Sequence, residues 1–137
     1  MKLWDVPFLL GIIAAVPFAL AAAAEPIRIE LNLAEDVQGK CRLSFVIENK
    51  SETAIESLKP DLVIFNREGV IARRLVAEMG PVNRAKTIIR TFEIENDCGE
   101  ISSILINTLV ACTPRDPADC VDVLVVSSRT PGIVLYK

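Results

Sequence analysis

The chain has 137 residues, 15 basic against 18 acidic side chains, a formal charge of −3 and no histidine. Mild acidity argues against nucleic acid as a partner, since that affinity depends on neutralising phosphates. Without an imidazole, Ser-His-Asp and Cys-His arrangements are excluded, as is the usual general base near neutral pH.

In chain order the first element is MKLWDVPFLLGIIAAVPFALAAAA, with an apolar run from Val6 to Leu20 and small residues at Ala22, Ala23 and Ala24. This pattern reads as a secretory signal peptide over residues 1–24, cleaved after Ala24. The competing reading is an uncleaved anchor, because Lys2 is the only basic residue before the run and Asp5 offsets it. Pro17 and the alanines end a spanning helix poorly, and such a helix needs about 20 apolar residues. No cysteine stands at the cleavage point and no arginine pair precedes the run, so general secretion to a periplasm or the exterior is predicted, with no membrane span after cleavage. Residues 25–137 then form a single domain with one modest core.

The segment IRIELNL, residues 27–33, alternates apolar and polar side chains, with Ile27, Ile29, Leu31 and Leu33 on one side. That is a strand with one buried face. CRLSFVIEN repeats the pattern from Cys41, and Asn49-Lys50-Ser51 follows as a turn; the same triplet matches a glycosylation acceptor. Further strands are predicted over 60–65, 70–76, 86–92, 102–111 and 121–127, with a short apolar strand from Ile133 to Tyr136. Between the segments at 60–65 and 70–76, NREG forms a hairpin connection in which Gly69 takes a positive φ. Helical periodicity is nearly absent, apart from one short turn near residues 97–102. The expected fold is all-β, an antiparallel β-sandwich of immunoglobulin-like type with about seven strands; a small barrel is the alternative.

Four cysteines, Cys41, Cys98, Cys112 and Cys120, in an exported domain point to disulfides. A bridge between Cys98 and Cys112 is disfavoured. The segment between them is extended, and at about 3.3 Å per residue its ends lie well beyond the roughly 7 Å limit between bridged Cα atoms. Rejecting it also rejects the pairing of Cys41 with Cys120. Of the two pairings left, the preferred one joins Cys112 with Cys120, where Pro114 and Pro117 help the loop turn back, and Cys41 with Cys98. Thiol chemistry is the weaker reading of these sulfurs. No Cys-x-x-Cys is present, and Asp116 and Asp119 would raise the pKa of a nearby thiol. A zinc site is weak for want of histidine, and copper carriage for want of thioethers, Met79 being the one methionine after residue 24.

Glu93, Glu95, Asp97 and Glu100 cluster in FEIENDCGE. Their spacing matches no calcium loop, and the plain account is the solvent face of a strand end followed by a capped turn. A pair of carboxylates for glycoside hydrolysis is compatible with spacing alone, but only Phe45, Phe65, Phe92 and Tyr136 remain as aromatic platforms. Arg67, Arg73, Arg74, Arg84 and Arg90 form a basic middle section, suited either to an acidic partner or to keeping an edge hairpin soluble.

The order CRLSFVIEN, LVIFNREG, RTFEI with Asp97-Cys98, ILINTLVAC and a last cysteine before a strand resembles a family of small exported alphaproteobacterial proteins with four cysteines. The resemblance spans nearly all of residues 25–137. It implies a β-rich periplasmic domain and assigns no activity. The function expected from the sequence is a non-enzymatic periplasmic interaction or accessory module. It would present a strand edge or the 112–120 loop to an unidentified protein partner, with no catalytic residue, cofactor or metal. The alternatives are a thiol-redox or metal-handling protein and a hydrolase using carboxylates of residues 93–100. Nothing in the sequence sets the oligomeric state.

Overall fold

A computed structural model of the chain describes residues 1–4, 7, 11–20 and 26–137. Residues 11–20 are exposed and without regular structure. The alanine tract and the cleavage point predicted after Ala24 lie outside the described residues. No helix among the described residues is long and apolar enough to cross a membrane.

The protein is mostly β. Its elements are β1 (Ile27–Val37), β2 (Lys40–Asn49), β3 (Ser57–Asn66), β4 (Ile71–Val76), β5 (Lys86–Ile94), a 3-10 turn at Cys98–Glu100, β6 (Ile101–Thr113), helix α1 (Pro117–Val123), β7 (Leu124–Ser128) and β8 (Val134–Tyr136). They form two four-stranded sheets, ordered β5-β2-β1-β7 and β4-β3-β6-β8. Buried residues of both sheets, Phe45 and Ile29 from the first and Leu62 and Ile104 from the second among them, belong to one core cluster.

Local chemistry explains the elements. In β2 every second residue is buried, as its alternation demands. The β1–β2 connection has two residues, Gln38 and Gly39, both at positive φ (51° and 79°), which is the backbone a tight hairpin with right-handed strand twist requires. At the β3–β4 hairpin Gly69 takes φ 76°, and the Asn66 side chain accepts from the N–H groups of Glu68 and Val70. Inside the core, the Phe45 and Phe92 rings pack edge-tilted with centroids 6.1 Å apart.

Three expectations need correction. The sheets are mixed, not purely antiparallel: β7 runs parallel to β1, and β8 parallel to β6. A parallel neighbour needs a crossover connection. Here α1 and β7 together carry the chain from β6 to β8, and β7 joins the opposite sheet on the way; side-chain alternation carries no information about strand direction. Second, the strand expected at 121–127 starts only at Leu124, because residues 117–123 are helical. Pro117 sits in the first turn, where its missing N–H costs nothing, and the Asp116 carboxylate accepts from the Ala118 N–H at 2.8 Å. Third, Leu33 does not join the buried row. The register shifts between Leu31 and Leu33, so Asn32 is an extra residue; Leu33 turns outward (46% exposed) and Ala34 packs inward against the core.

Candidate functional site

The structure joins Cys41 to Cys98, with Cα atoms 4.9 Å apart, and Cys112 to Cys120, at 6.5 Å. Cys41 opens the buried row of β2, while Cys98 starts the 3-10 turn, whose N–H is held by the Asp36 carboxylate at 2.8 Å. Cys112 and Cys120 are both fully buried, one near the end of β6 and the other in α1. No described cysteine is free. The sulfurs therefore staple the two ends of β6 to their surroundings, and the 112–120 segment runs from the end of β6 through a turn into the capped start of α1.

The charged groups singled out in the sequence do not converge. Glu93 pairs with Arg42 at 3.0 Å, Glu95 with Lys40 at 3.2 Å, and Glu100 accepts from the Asn96 amide. No group of three or more His, Cys, Asp or Glu placed to hold a metal ion occurs among the described residues. The arginines are dispersed in the same way. Arg67 donates to the carbonyls of Gly99 and Gly132, Arg73 to Asn96, and Arg90 to the carbonyl of Gly80, while Arg84 pairs with Glu52 at 3.6 Å. These residues pin loops to one another and present no common basic patch.

What distinguishes the surface is the difference between the outer faces of the two sheets. The outer face of the first sheet is mostly polar, with Leu33, Ile89 and Val125 as its exposed apolar residues. Ser44 and Thr91 meet there through their hydroxyls, and a cleft of about 330 Å³ is walled by Arg28, Glu30, Glu48 and Arg129. Its charges compensate one another: Arg129 pairs with Glu30 at 3.0 Å, and both Arg28 and Lys50 approach Glu48. The Glu30 carboxyl lies below the usual carboxylate range, chiefly through the hydrogen bond from Asn32 and then through Arg129.

The outer face of the second sheet is more apolar. Directly paired residues share a face, so the registers define two rows across all four strands. One row runs Ile71, Phe65, Ser103, Val134, and the other Arg74, Val63, Leu105, Tyr136. Ile71, Val134 and Tyr136 are exposed and Phe65 and Leu105 half-buried, none of them in the core cluster. Sequence reasoning missed this face, although β3 carries its signal: Leu62-Val63-Ile64-Phe65 is a continuous apolar run, which belongs to a strand covered on both sides.

At the margin of these rows lies a polar cluster that the sequence reading also missed. Asp61 sits on β3 with its side chain only 6% exposed, sealed by the residues above it instead of sunk in the core. Arg74 binds it through two nitrogens, Nε at 3.0 Å and Nη2 at 2.6 Å, and the Asn107 amide donates to Oδ2 at 3.0 Å. The Asp61 carboxyl is held below the usual carboxylate range by Arg74 first and Asn107 second, against the opposing effect of burial. Because the folded pKa is depressed, the unfolded chain takes up this proton first as pH falls. The contribution is therefore complete above the ordinary aspartate pKa near pH ~4 and is lost as pH drops below it. Asp61→Asn is expected to lower stability by about 1–2 kcal/mol at neutral pH, and urea titrations should show that deficit shrinking as the buffer is taken below pH ~4. A deficit independent of pH would show that the Asp61 charge is not what Arg74 and Asn107 stabilise.

No family model, curated protein or solved structure matches the chain. Function is accordingly read from the geometry of this surface.

Proposed function

We propose that the protein is a non-enzymatic interaction or accessory module of the periplasm, built as an immunoglobulin-like β-sandwich, and that it meets a protein partner through the outer face of its second sheet. The single observation behind this reading is that face: two rows, apolar except for Ser103 and Arg74, that leave Ile71, Val134 and Tyr136 exposed. Contiguous exposed apolar area of this kind marks interaction sites. The outer face of a four-stranded sheet suits another protein surface better than a small molecule, which favours concave sites. Arg74 adds direction. Its side chain is 61% exposed, and Asp61 engages Nε and Nη2, leaving Nη1 to meet a carboxylate or main-chain carbonyl on an otherwise apolar partner surface.

The two disulfides suit an oxidising compartment. Export through the segment 1–24, and kinship with the small four-cysteine alphaproteobacterial proteins, belong to the same proposal. Site-specific photocrosslinking in living cells tests it. A photoreactive residue at Ile71 or Val134 is expected to trap a discrete protein adduct that the same residue at Val125, on the outer face of the first sheet, does not. Arg74→Ala should weaken the adduct several-fold. Adducts of equal yield at all three positions, or none at Ile71 and Val134, would overturn the assignment.

A further inference from the structure

We propose that β5 is a self-association edge, along which two copies of the chain pair antiparallel about a two-fold axis at Ile89 and turn the first sheet into one continuous sheet of eight strands. This surface is separate from the apolar face of the second sheet and stands on different observations.

The first observation is the condition of the edge. β5 pairs with β2 over its whole length, from Lys86 opposite Asn49 to Ile94 opposite Cys41, without a register shift. β2 is its only strand neighbour among the described residues, so no strand pairs along the opposite side of β5, where the Ile89 carbonyl has only a long 3.5 Å contact from the Arg90 guanidinium. A long, regular, proline-free edge is a template for another strand. The other sheet edges are blunted. β7 has five residues and β8 three, while β4 carries a register shift and places Arg73 and Arg74 side by side.

The second observation identifies the occupant as another copy of this chain and selects the register. A two-fold axis normal to the sheet keeps each face on its own side, so Thr87, Ile89, Thr91 and Glu93 can oppose only one another, and Lys86, Ile88, Arg90 and Phe92 likewise. Centring the axis on Ile88 sets Lys86 against Arg90, and centring it on Arg90 opposes two arginines; both place like charges across the strands. Centring it on Thr91 sets Ile89 against Glu93, a carboxylate that already pairs with Arg42. Centring it on Ile89 avoids every one of these conflicts. It sets Thr87 against Thr91, Ile88 against Arg90 and Lys86 against Phe92, and brings the two Ile89 side chains together. Ile89 is 64% exposed, the most exposed large apolar side chain between residues 26 and 137, and it stands beside Val46 of its own sheet. The pairing would cover it with an apolar cross-strand contact, of the type that stabilises antiparallel sheets.

Sedimentation velocity on the disulfide-bonded full chain at tens of micromolar is expected to give a species of twice the chain mass. Ile89→Lys, a change at an exposed position, should leave the circular dichroism spectrum unchanged and weaken dimerisation at least tenfold. Ile89→Cys should give a covalent dimer on mild oxidation. Thr91→Cys should not, because each Thr91 opposes Thr87 of the second copy. A monomer at every concentration overturns the proposal, as does a dimer that survives Ile89→Lys or crosslinks equally through position 91.

Discussion

Replacing both Cys41 and Cys98 by alanine is expected to lower the unfolding free energy by about 4 kcal/mol, on the loop-entropy relation for two residues 57 apart in sequence. For a domain whose total stability is of order 5–15 kcal/mol, that loss leaves a marginal fold. The bridge matters beyond the loop it closes. It fastens the start of β2, in the first sheet, to the turn that leads into β6, in the second, and so constrains how the layers meet. The Cys112–Cys120 bridge, eight residues apart, closes a much smaller loop, and its removal should cost about 2.6 kcal/mol on the same relation. Urea unfolding of the two double variants measures both. If the short bridge proved the more costly to remove, chain entropy would not be the main source of the stabilisation.

Asn49→Ala is expected to cost about 3 kcal/mol, although the residue looks like an ordinary turn former in the sequence. Asn49 is 1% exposed. Its amide nitrogen donates to the carbonyls of Thr53 and Val82, and its carbonyl oxygen accepts from both the backbone N–H and the hydroxyl of Ser51. One side chain thus ties the end of β2 to the segment that enters β5. Alanine would leave the Ser51 N–H without this partner in a buried site, and each such orphan costs about 1–3 kcal/mol. The check is the urea midpoint of the variant, with Ser51→Ala as a milder companion that removes only the hydroxyl. A change below about 1 kcal/mol in Asn49→Ala would mean that water replaces these bonds. The same burial bears on Asn49-Lys50-Ser51 as a glycosylation acceptor: a nitrogen already shared between two carbonyls, inside the protein, is a poor place for a sugar.

The β-rich class was legible because side-chain period is a local property. Cys41, Leu43, Phe45 and Ile47 alternate with polar residues and all point into the core. The positive φ at Gly69 was legible from its local turn sequence, whereas those at Gln38 and Ala85 were not. The direction of β7 and β8 was not, since the alternation of a strand is identical whichever way its neighbour runs. The bulge at Asn32 was hidden because a single inserted residue leaves the hydrophobic spelling intact and changes only which face follows it. The helix at 117–123 was obscured by Val121-Asp122-Val123, β-prone residues overruled by the cap at Asp116 and the bridge at Cys120. The apolar outer rows and the Asp61 cluster depend on which strands become neighbours. Phe65, Leu105 and Tyr136 are far apart in the chain and meet only through registers set by the whole fold.

The crossover from β6 through α1 and β7 to β8 has a consequence for how the molecule is completed. Residues 117–137 follow all the other strands and supply one edge strand of each sheet, β7 and β8. In a chain made from its N-terminus, β1 and β6 each lack one neighbour until β7 and β8 follow. Both sheets thus depend for one flank on the same short stretch of chain, so a cut between α1 and β7 would open the two layers together.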